Sequence, residues 1–553
     1  MLTVQNLSKS YGIEPLLTNV SFSVNAGERI GLVGPNGCGK TTLLRLIVGL
    51  ETPDSGIVHF MPAELRYGYL PQGAEFEPDD TIGRYIARCE GDLPALSARL
   101  AELAASLAGQ PDQPQLQAEY DATLASLEDA ATFAGRGQQV LASLDLDSLP
   151  PDIPTAALSG GQKTRLGLAG VLLANPRLLI LDEPTNHLDL SMLAWLENWL
   201  SDFKGGALIV SHDRTFLDRV ATSILEIDAH SHRARIFTGN YTAYLEQKIA
   251  EHQQQWDAYQ DQQEEIKRLR VAASTVRATA KFRKGGKADS GDKFAAAFYA
   301  NRSKGTIKKA KNIERRIQTL LTTDRIDKPQ RSWEMKMDFP DIPPTGRDVV
   351  VLEHATIGYG EKILLTDLNL TLRFGSRTAL IGPNGCGKTT LLRAITGQHE
   401  PLSGRVRLGS GVRIGFMTQE QEGLNPNLNA LQTLQAVTGQ GETETRSFLS
   451  LYLFKGDDVF IPAGLLSYGE RARLMLALLV AQGCNLLLLD EPINHLDIPA
   501  RTRFEQSLTD FNGTILAVVH DRYFLQGFAR ELWLVRSGGI QRVDLSFGEF
   551  PEL

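Results

Sequence analysis

One twelve-residue segment occurs twice in this chain, and the repeat limits what the chain can fold into. The segment GPNGCGKTTLLR begins at Gly34 and again at Gly382, 348 residues further along. Later motifs also repeat, but LSGGQ at Leu158 and LSYGE at Leu466 are 308 residues apart. The 553 residues therefore contain two copies of one domain, and the first copy carries about 40 additional residues between its early and late motifs.

Each copy of the repeated segment matches the phosphate-loop pattern GxxxxGK[ST] and stands between a strand-like and a helix-like stretch. In this pattern backbone N–H groups curl around phosphate oxygens at the start of a helix, and the lysine reaches the β- and γ-phosphates. The sequence therefore predicts two nucleotide sites. Their predicted binding residues are Gly34, Asn36, Gly37, Gly39, Lys40, Thr41 and Thr42 in the first copy and Gly382, Asn384, Gly385, Gly387, Lys388, Thr389 and Thr390 in the second, with Thr41 and Thr389 as magnesium ligands.

An apolar run ends in a carboxylate pair in each copy, in LLILDE and in LLLLDE. Ligands of open α/β sheets bind at the carboxyl ends of strands, so we expect the aspartates to hold a metal ion and the glutamates to polarise the attacking water. A histidine follows each glutamate after 29 residues, and its recurrence favours a γ-phosphate contact over a purely structural role. These candidates are Asp182, Glu183 and His212 in the first copy and Asp490, Glu491 and His520 in the second.

The segments LSGGQ and LSYGE each place a serine and a glycine directly before a helix-like stretch. A helix N-terminus attracts anions because its first backbone N–H groups have no partner within the helix. Each nucleotide is already surrounded by its own phosphate loop, so we expect each segment to face the nucleotide held by the other copy. The residues concerned are Ser159, Gly160, Gly161 and Gln162 in the first copy and Ser467, Gly469 and Glu470 in the second.

A basic segment of about 90 residues separates the two copies. Apolar residues recur at helical spacing in both of its halves, which predicts two long antiparallel helices joined by a Gly- and Lys-rich tip. The first helix is expected to run from Tyr241 to about Thr275, a length of roughly 50 Å. Residues 267–316 hold sixteen Lys and Arg against three acids, a charge of +13 in a chain whose net charge is −8. This asymmetry favours a polyanionic partner, and a solvated pair of charged helices is the alternative.

The additional residues of the first copy, at about 90–135, have leucines three and four residues apart on both sides of a Gly- and Pro-containing break. They predict a helical hairpin, which either packs on its own domain or projects as an arm.

The sequence has no run of 18 apolar residues and no targeting segment at its start, and its four cysteines form no CxxC pair. We therefore expect a cytoplasmic protein with no membrane partner.

The order of the motifs resembles that of ATP-binding cassette (ABC) proteins. Phosphate loop, Gln loop, signature, LDEP, NHLD and histidine switch follow one another in both halves. Four further features resemble those of the ABC-F family, whose members are soluble ATPases that act on ribosomes. They are the tandem domains without membrane spans, the segment DEPTNHLD, the insert in the first domain and the charged linker. The resemblance implies an α/β fold with two tandem P-loop ABC nucleotide-binding domains joined by a long α-helical hairpin, and it implies ATP and Mg²⁺ as cofactors.

The resemblance also implies site residues that local patterns do not provide. Gln72 and Gln419 fall at the Gln loops, where the family contacts nucleotide and metal. Tyr11 and Tyr359 fall where the family stacks adenine on an aromatic ring, although both can also be ordinary tyrosines at strand ends.

In the family each nucleotide lies between the domains, so site one would combine the first phosphate loop with the second signature, and site two the reverse. Asp189 and Asp497, in the two NHLD segments, would contact the opposite domain. Two departures from the family pattern affect the sites unequally: Tyr468 stands where glycine is usual, and Ile493 stands where threonine is usual. Equal hydrolysis at the two sites is therefore not expected.

In the ABC-F family the linker reaches the peptidyl-tRNA and the peptidyl-transferase region from the tRNA exit side. The resemblance therefore implies a ribosome partner, with rRNA and tRNA contacts on the large subunit, and a monomer whose two domains pair within one chain. The residues assigned to RNA binding are Lys281, Arg283, Lys284, Lys287, Lys308, Lys309 and Lys311.

The predicted boundaries follow from the repeat and the linker. Residues 1–240 form the first ABC domain, residues 241–330 the basic helical linker, residues 331–345 an extended connector, and residues 346–553 the second ABC domain.

Several functions stay open at this point. Within the ribosome interpretation the chain is either a general translation factor or an antibiotic-resistance protein, and the long stretch from Thr279 to Asn301 leans towards resistance. An ATPase subunit of a membrane importer is one rival, although such a subunit needs no basic hairpin. A DNA-associated ABC ATPase is another, although the coiled-coil extension usual in that group has no counterpart here, where the sequence stops at SFGEFPEL.

Overall fold

A computed structural model of the chain describes most of its residues. The described residues are 1–73, 76–90, 93–109, 116–117, 119–121, 123–124, 127, 136–186, 188–229, 231–284, 308–328, 345–418, 423–452, 454, 456–493 and 496–545. The chain forms two compact units, one containing both repeats and the other containing the segment between them.

The first repeat is built on two sheets. Its strands are β1 (Leu2–Tyr11), β2 (Glu14–Val24), β3 (Arg29–Val33), β4 (Ser55–Phe60), β5 (Tyr67–Leu70), β6 (Leu178–Asp182), β7 (Gly206–Val210), β8 (Ser223–Ile227) and β9 (Ala234–Thr238). The larger sheet has the order β5-β6-β7-β3-β8-β9 and is parallel except for β9, and the smaller has the antiparallel order β2-β1-β4. Strands β6 and β7 are buried along their whole length, as expected of central parallel strands made of Leu, Ile and Val.

The second repeat has the same topology. Its strands are β10 (Asp348–Tyr359), β11 (Lys362–Arg373), β12 (Arg377–Ile381), β13 (Ser403–Leu408), β14 (Ile414–Met417), β15 (Leu486–Asp490), β16 (Thr514–Val518), β17 (Glu531–Arg536) and β18 (Gly539–Asp544). They form sheets of order β14-β15-β16-β12-β17-β18 and β11-β10-β13. The identical strand orders confirm the tandem α/β fold that the repeat predicts.

The helices connect the strands and cover the sheets. They are α1 (Lys40–Ile47), α2 (Ile82–Glu90), α3 (Leu93–Gly109), α4 (Arg136–Ser143), α5 (Gly160–Leu173), α6 (Leu190–Asp202), α7 (Arg214–Val220), α8 (Tyr241–Lys284), α9 (308–321), α10 (Lys388–Thr396), α11 (Ala430–Thr438), α12 (Glu442–Leu451), α13 (Tyr468–Ala481), α14 (Ile498–Asp510) and α15 (Arg522–Phe528). In the first repeat, Leu43 and Leu44 of α1 share one hydrophobic core with Val4 of β1 and Ile180 of β6. This packing holds the start of α1 at the carboxyl ends of the central strands.

The insert of the first repeat is helical where it is described. Helix α3 covers its first half, and described residues between 116 and 127 are helical as well. An ion pair of 2.6 Å between Arg99 Nη2 and Glu119 Oε1 joins the two halves. Most of the predicted break lies outside the described residues.

The first helix of the linker is longer than the sequence pattern predicts. Helix α8 has 44 residues, about 66 Å at 1.5 Å per residue, and it continues nine residues beyond Thr275 to Lys284. No glycine or proline interrupts the chain before Gly285, and the intervening Ala, Arg and Lys favour helix. Lys281, Arg283 and Lys284 therefore belong to the end of a helix and not to a loop, whereas Lys287 lies outside the described residues. Within the described part of the chain, no helix combines the length and the apolar character needed to cross a membrane.

A buried glutamine ties the end of the linker to α8. Gln262 is 7% exposed, its Nε2 donates to the carbonyl of Asp324 at 2.6 Å, and its Oε1 accepts from the backbone N–H of Ile326 at 3.0 Å. One side-chain amide thus satisfies two backbone groups that follow α9, and it fixes the path of the chain after that helix.

Gln262→Leu is expected to free the segment after α9, because both backbone groups lose their partner and an unpaired buried polar group costs about 1–3 kcal/mol. Hydrogen exchange over residues 324–328 should become about tenfold faster or more. Gln253→Leu is the matched control, since Gln253 bonds Asp257 on the exposed surface of the same helix. Equal exchange in the two variants would show that Gln262 does not hold this segment.

Candidate active site

The two phosphate loops have the local geometry that phosphate binding requires. In the first loop Gly37 and Gly39 have φ values of 80° and 99°, in the left-handed region that favours glycine, and Gly39 caps α1. The ammonium group of Lys40 donates to the carbonyls of Gly34 at 2.8 Å and Pro35 at 3.0 Å. The loop therefore already has the conformation that surrounds a phosphate, and the lysine side chain lies back against the carbonyls of the loop.

The second loop repeats this geometry. Gly385 and Gly387 have φ values of 78° and 104°. Lys388 donates to the carbonyls of Gly382 at 2.7 Å and Pro383 at 2.9 Å. Two loops of equal shape in the two repeats follow from their equal sequence.

A buried aspartate ends the strand beside each loop. Asp182 is 2% exposed, and both of its carboxylate oxygens are buried with no hydrogen-bond partner among the described residues. Burial raises the pKa of Asp182, while the nearby Thr41 hydroxyl and Lys40 ammonium act in the opposite direction. Burial likewise raises the pKa of Asp490, against Thr389 and Lys388. Unpaired carboxylate oxygens beside a hydroxyl are the hard oxygen ligands that suit Mg²⁺, so these residues fit the metal that the family implies.

A glutamate and a histidine face each other beside each aspartate. His212 Nε2 lies 3.2 Å from Glu183 Oε1, and the backbone N–H of His212 donates to Glu183 Oε2 at 3.3 Å. Glu183 has a φ of 52°, so its backbone is held in an uncommon conformation by the strand end that precedes it. Burial raises the pKa of Glu183 to about 8, and Arg501 of the second repeat opposes this effect.

The equivalent pair of the second repeat is looser. His520 Nε2 lies 3.6 Å from Glu491 Oε1, and these two side chains are 13% and 15% exposed, against 9% and 5% for His212 and Glu183. Burial and the charge of Lys388 lower the pKa of His520 to about 3, so its imidazole is neutral near pH 7. The two centres share their residues but differ in packing.

The first centre opens into a cavity of about 470 Å³ that both repeats line. The first repeat contributes its phosphate loop and the predicted Gln72, Asp182, Glu183 and His212, and the second contributes Tyr468. Tyr468, the tyrosine that replaces the usual signature glycine, therefore lines the cavity of site one, and it also lines the cavity of site two.

The second centre opens into a larger cavity of about 940 Å³. Its walls include the first signature, the second phosphate loop, Tyr359, Glu491 and His520. The signature residues in this wall are Ser159, Gly160, Gly161 and Gln162, and the loop residues are Asn384, Gly385, Gly387, Lys388, Thr389 and Thr390. A signature from one repeat and a phosphate loop from the other thus share one cavity.

The signature serines cap the helices that follow them. Ser159 Oγ accepts from the backbone N–H of Gln162 at 3.3 Å, and Ser467 Oγ accepts from that of Glu470 at 3.3 Å. The side chain at the third helical position reaches back to the serine N–H in both cases, at 2.9 Å. This reciprocal capping box fixes the first turns of α5 and α13, including Gly469, at the domain interface.

Several predicted residues do not line either cavity: Gly34, Gly382, Asp490 and, in the second signature, Ser467, Gly469 and Glu470. Tyr11 does not line the first cavity; its hydroxyl donates to Glu51 Oε2 at 2.7 Å and its side chain is 55% exposed. Gln419 lies outside the described residues.

The NHLD aspartates reach the phosphate loop of the opposite repeat. Asp497 Oδ2 accepts from the backbone N–H of Asn36 at 2.9 Å. Although burial acts against it, hydrogen bonds from Ser191 and from backbone N–H groups, including that of Asn384, hold the pKa of Asp189 below its ordinary value. Each phosphate loop is thus contacted by a carboxylate from the other repeat.

Two arginines that we did not single out in the sequence add reciprocal ion pairs to this interface. Arg214 Nη1 lies 3.3 Å from Glu505 Oε2, and its Nη2 donates to Thr502 Oγ1 at 2.6 Å. Arg522 Nη1 donates to both carboxylate oxygens of Glu197, at 3.1 and 3.0 Å. The sequence contains a signal for these arginines, because SHDR and VHDR both have an arginine two residues after the histidine.

Comparison with known proteins agrees with this arrangement. A family model described as ABC transporter matches residues 17–186 and 365–494, and a second model with the same description matches residues 227–339. An archaeal ribosome recycling factor, solved in complex with a ribosomal stalk protein, has a TM-score of 0.61 and covers 98% of this chain and 91% of its own. At 17% identity that likeness shows the fold alone.

Relatives with similar sequences extend over nearly the whole chain. The putative ATP-binding protein YdiF of Bacillus subtilis is 35% identical, over 98% of this chain and 81% of its own. The ABC transporter F family member 2 of Arabidopsis thaliana is 33% identical, over 99% and 78%. The energy-dependent translational throttle protein EttA of Mycobacterium tuberculosis is 34% identical, over 95% and 89%. The chain therefore belongs to the ABC-F family, and its tandem ABC domains bind and hydrolyse ATP.

Proposed function

We propose that this ATPase uses ATP binding and hydrolysis to gate its binding to ribosomes, with the basic linker inserted near the peptidyl-tRNA and the peptidyl-transferase centre. The observation that carries the proposal is the combination of two interdomain ATP sites with a linker window of charge +13. The relative EttA, named a translational throttle, supports a role in translation.

The chemistry assigned to each site follows from its geometry. Lys40 and Lys388 bind the β- and γ-phosphates, Glu183 and Glu491 polarise the attacking water, and the histidines contact the γ-phosphate. Thr41, Gln72 and Asp182 would hold Mg²⁺ in site one, and Thr389, Gln419 and Asp490 in site two. Bound there, the metal ion neutralises charge on the β- and γ-phosphates.

The two sites are proposed to turn over at different rates. Tyr468 lines both cavities, but only in site one does it belong to the signature that is paired with the phosphate loop, at the position where the family has glycine. Arg471, one turn along α13, places its guanidinium 5.0 Å from the centre of the Tyr468 ring and stabilises this position. Site two has the unmodified LSGGQ in the same place.

The linker supplies the affinity for RNA in this proposal. Lys308, Lys309 and Lys311 are exposed at the start of α9, and three further basic residues lie at the end of α8. Phosphate contacts of this kind give affinity without reading base sequence, which suits structured RNA.

We infer a cytoplasmic monomer whose two ABC domains pair within one chain, acting as a translation factor or as a protector of ribosomes from antibiotics.

Removing the two glutamates tests the enzymatic half of the proposal. Glu183→Gln together with Glu491→Gln should slow hydrolysis at least a hundredfold while leaving ATP binding within about threefold, because the phosphate loops and signatures stay intact. The double variant should then co-sediment with ribosomes in ATP more strongly than the parent chain. Single variants should differ from each other in turnover. Hydrolysis at the parent rate in the double variant would exclude these residues as bases.

The stability of the folded chain should also depend on pH through Asp213, at the start of α7. Burial and the Asp521 carboxylate across the interface raise the pKa of Asp213 to about 7 from an ordinary value of 3.8, with Glu197 acting in the same direction and Arg501 against it. A raised pKa means that the folded state binds the proton more tightly than the unfolded chain does. The folded state therefore loses stability as pH rises from about 4 to about 7, by up to about 1.4 kcal/mol per pH unit, and little changes above that range.

Asp213→Asn keeps the acceptor for the backbone N–H of Phe216, which Asp213 Oδ1 bonds at 2.9 Å, but removes the charge. The melting temperature of this variant relative to the parent should be higher at pH 8 than at pH 5.5. Asp202→Asn, an exposed position at the end of α6, is the control and should show no such trend. A pH-independent difference for Asp213→Asn would contradict the assignment.

Neutralising the linker tests the ribosomal half of the proposal. A variant with glutamine at all seven assigned positions should show weaker ATP-dependent co-sedimentation with ribosomes. Each lost phosphate contact should lower the slope of log affinity against log salt by roughly 0.7 to 0.9. The seven positions are Lys281, Arg283, Lys284, Lys287, Lys308, Lys309 and Lys311. The ribosome-free ATPase rate should stay within about twofold.

The matched control replaces the six lysines of this set by arginine, which keeps the charge and should keep the salt slope. Unchanged co-sedimentation of the glutamine variant across a salt series would mean that the charges form a solvated surface. An importer subunit or a DNA-associated ATPase would instead show a membrane partner or DNA, and no ribosomes, after mild purification.

A further inference from the structure

One interface position differs between the two repeats in a way that the shared fold does not require. Arg501, on α14, is equivalent to Leu193 on α6, at the spacing of 308 residues. Both side chains are buried, with exposures of 5% and 4%. A guanidinium in one repeat thus takes the place of an apolar side chain in the other.

Arg501 joins two segments that belong to different nucleotide sites. Its Nε donates to the carbonyl of Leu496 at 3.0 Å, and its Nη1 donates to Asp521 Oδ2 at 2.8 Å. Leu496 directly precedes Asp497, the residue that reaches the first phosphate loop. Asp521 directly follows His520, which lines the cavity of site two.

This connection is rigid on both sides. Asp497 Oδ1 caps α14 through the backbone N–H of Ala500 at 2.9 Å, while its Oδ2 holds Asn36. Asp521 Oδ1 caps α15 through the backbone N–H of Phe524 at 2.8 Å, while its Oδ2 holds Arg501. A planar guanidinium with two fixed bonds transmits a shift of one segment to the other, because neither partner can move without breaking a buried bond.

The first repeat has no equivalent connection through this position. Leu193 has no donor with which to join Leu188 to Asp213, the equivalents of Leu496 and Asp521. Asp213 instead faces Asp521 and Arg501 across the interface. The link through Arg501 therefore joins the histidine segment of site two to the aspartate that contacts site one, and Leu193 provides no such link between the histidine segment of site one and Asp189.

We propose that Arg501 is a positioning residue that couples site one to site two through the second repeat, by a link that has no counterpart at Leu193 in the first repeat. When the histidine segment of site two moves with the γ-phosphate, Asp521 moves Arg501, and Arg501 moves the Leu496–Asp497 segment against the first phosphate loop. The inference rests on the proposed roles of the two sites, and it is independent of ribosome binding.

The test is a double-mutant cycle on ribosome-free ATPase activity. In the Glu491→Gln background, turnover reports site one, and His520→Ala there perturbs only site two directly. With Arg501 present, His520→Ala should change site-one turnover by about five- to tenfold, and in the Arg501→Leu protein by less than about twofold. Arg501→Leu is the natural substitution, because it gives the second repeat the residue of the first.

The mirror cycle is the matched control. In the Glu183→Gln background, where turnover reports site two, the effect of His212→Ala should be the same with and without Arg501→Leu. Arg501→Lys, which can keep one of the two bonds, should restore part of the coupling in the first cycle. Should Arg501→Leu unfold the protein, Arg501→Gln replaces it in the same cycle, and Arg501→Lys keeps its role as the partial rescue.

A merely structural role for Arg501 would lower turnover in both backgrounds without changing the dependence on His520. That outcome, or an equal effect of His520→Ala with and without Arg501, overturns the proposal. Loss of ribosome co-sedimentation belongs to the proposed function and leaves this result unaffected.

Discussion

The hydrogen bond from the backbone N–H of Asn36 to the carboxylate of Asp497 is the contact on which the organisation of this enzyme depends. It places a charged group of one repeat on the phosphate loop of the other, so neither loop is a complete site by itself. The signature helices, the Arg214 and Arg522 ion pairs and the shared cavities all lie around this reciprocal arrangement. A chain built this way places each phosphate loop within reach of groups from the other half.

The interface contains a cluster of buried ionisable side chains. Arg501 acts electrostatically on Glu183 and on Asp213, and its guanidinium donates to Asp521. Breaking a buried pair by removing one partner costs more than the pair contributes, because it leaves an uncompensated charge. Such a cluster favours one well-defined closed geometry over many similar ones.

Much of the fold and of the nucleotide sites could be predicted because their signals are local. The phosphate loop needs only eight consecutive residues, and the strand before Asp182 reads as an unbroken apolar run. Because each motif occurs in both repeats, the role of His212 could be inferred from the recurrence of a histidine at the same spacing, His520. The division of the chain at 240, 330 and 345, and the contact of Gln419, stay predictions.

The contacts that sequence reasoning missed are those between distant segments with no pattern of their own. Arg501 and Asp521 are 20 residues apart on different helices, and nothing in either segment indicates the other. The sequence prediction that α8 ends at about Thr275 is wrong, because the Ala, Arg and Lys residues before Gly285 favour helix and extend it to Lys284.

The difference between Leu193 and Arg501 means that the two repeats are not interchangeable at their interface. A symmetric dimer of either repeat alone would carry two leucines or two arginines where the present interface has one of each. Two leucines would leave Asp213 and Asp521 without this guanidinium, and two arginines would place a second cation in the same cavity wall. The two repeats are therefore complementary at this position, and pairing either one with a copy of itself would not reproduce the present arrangement.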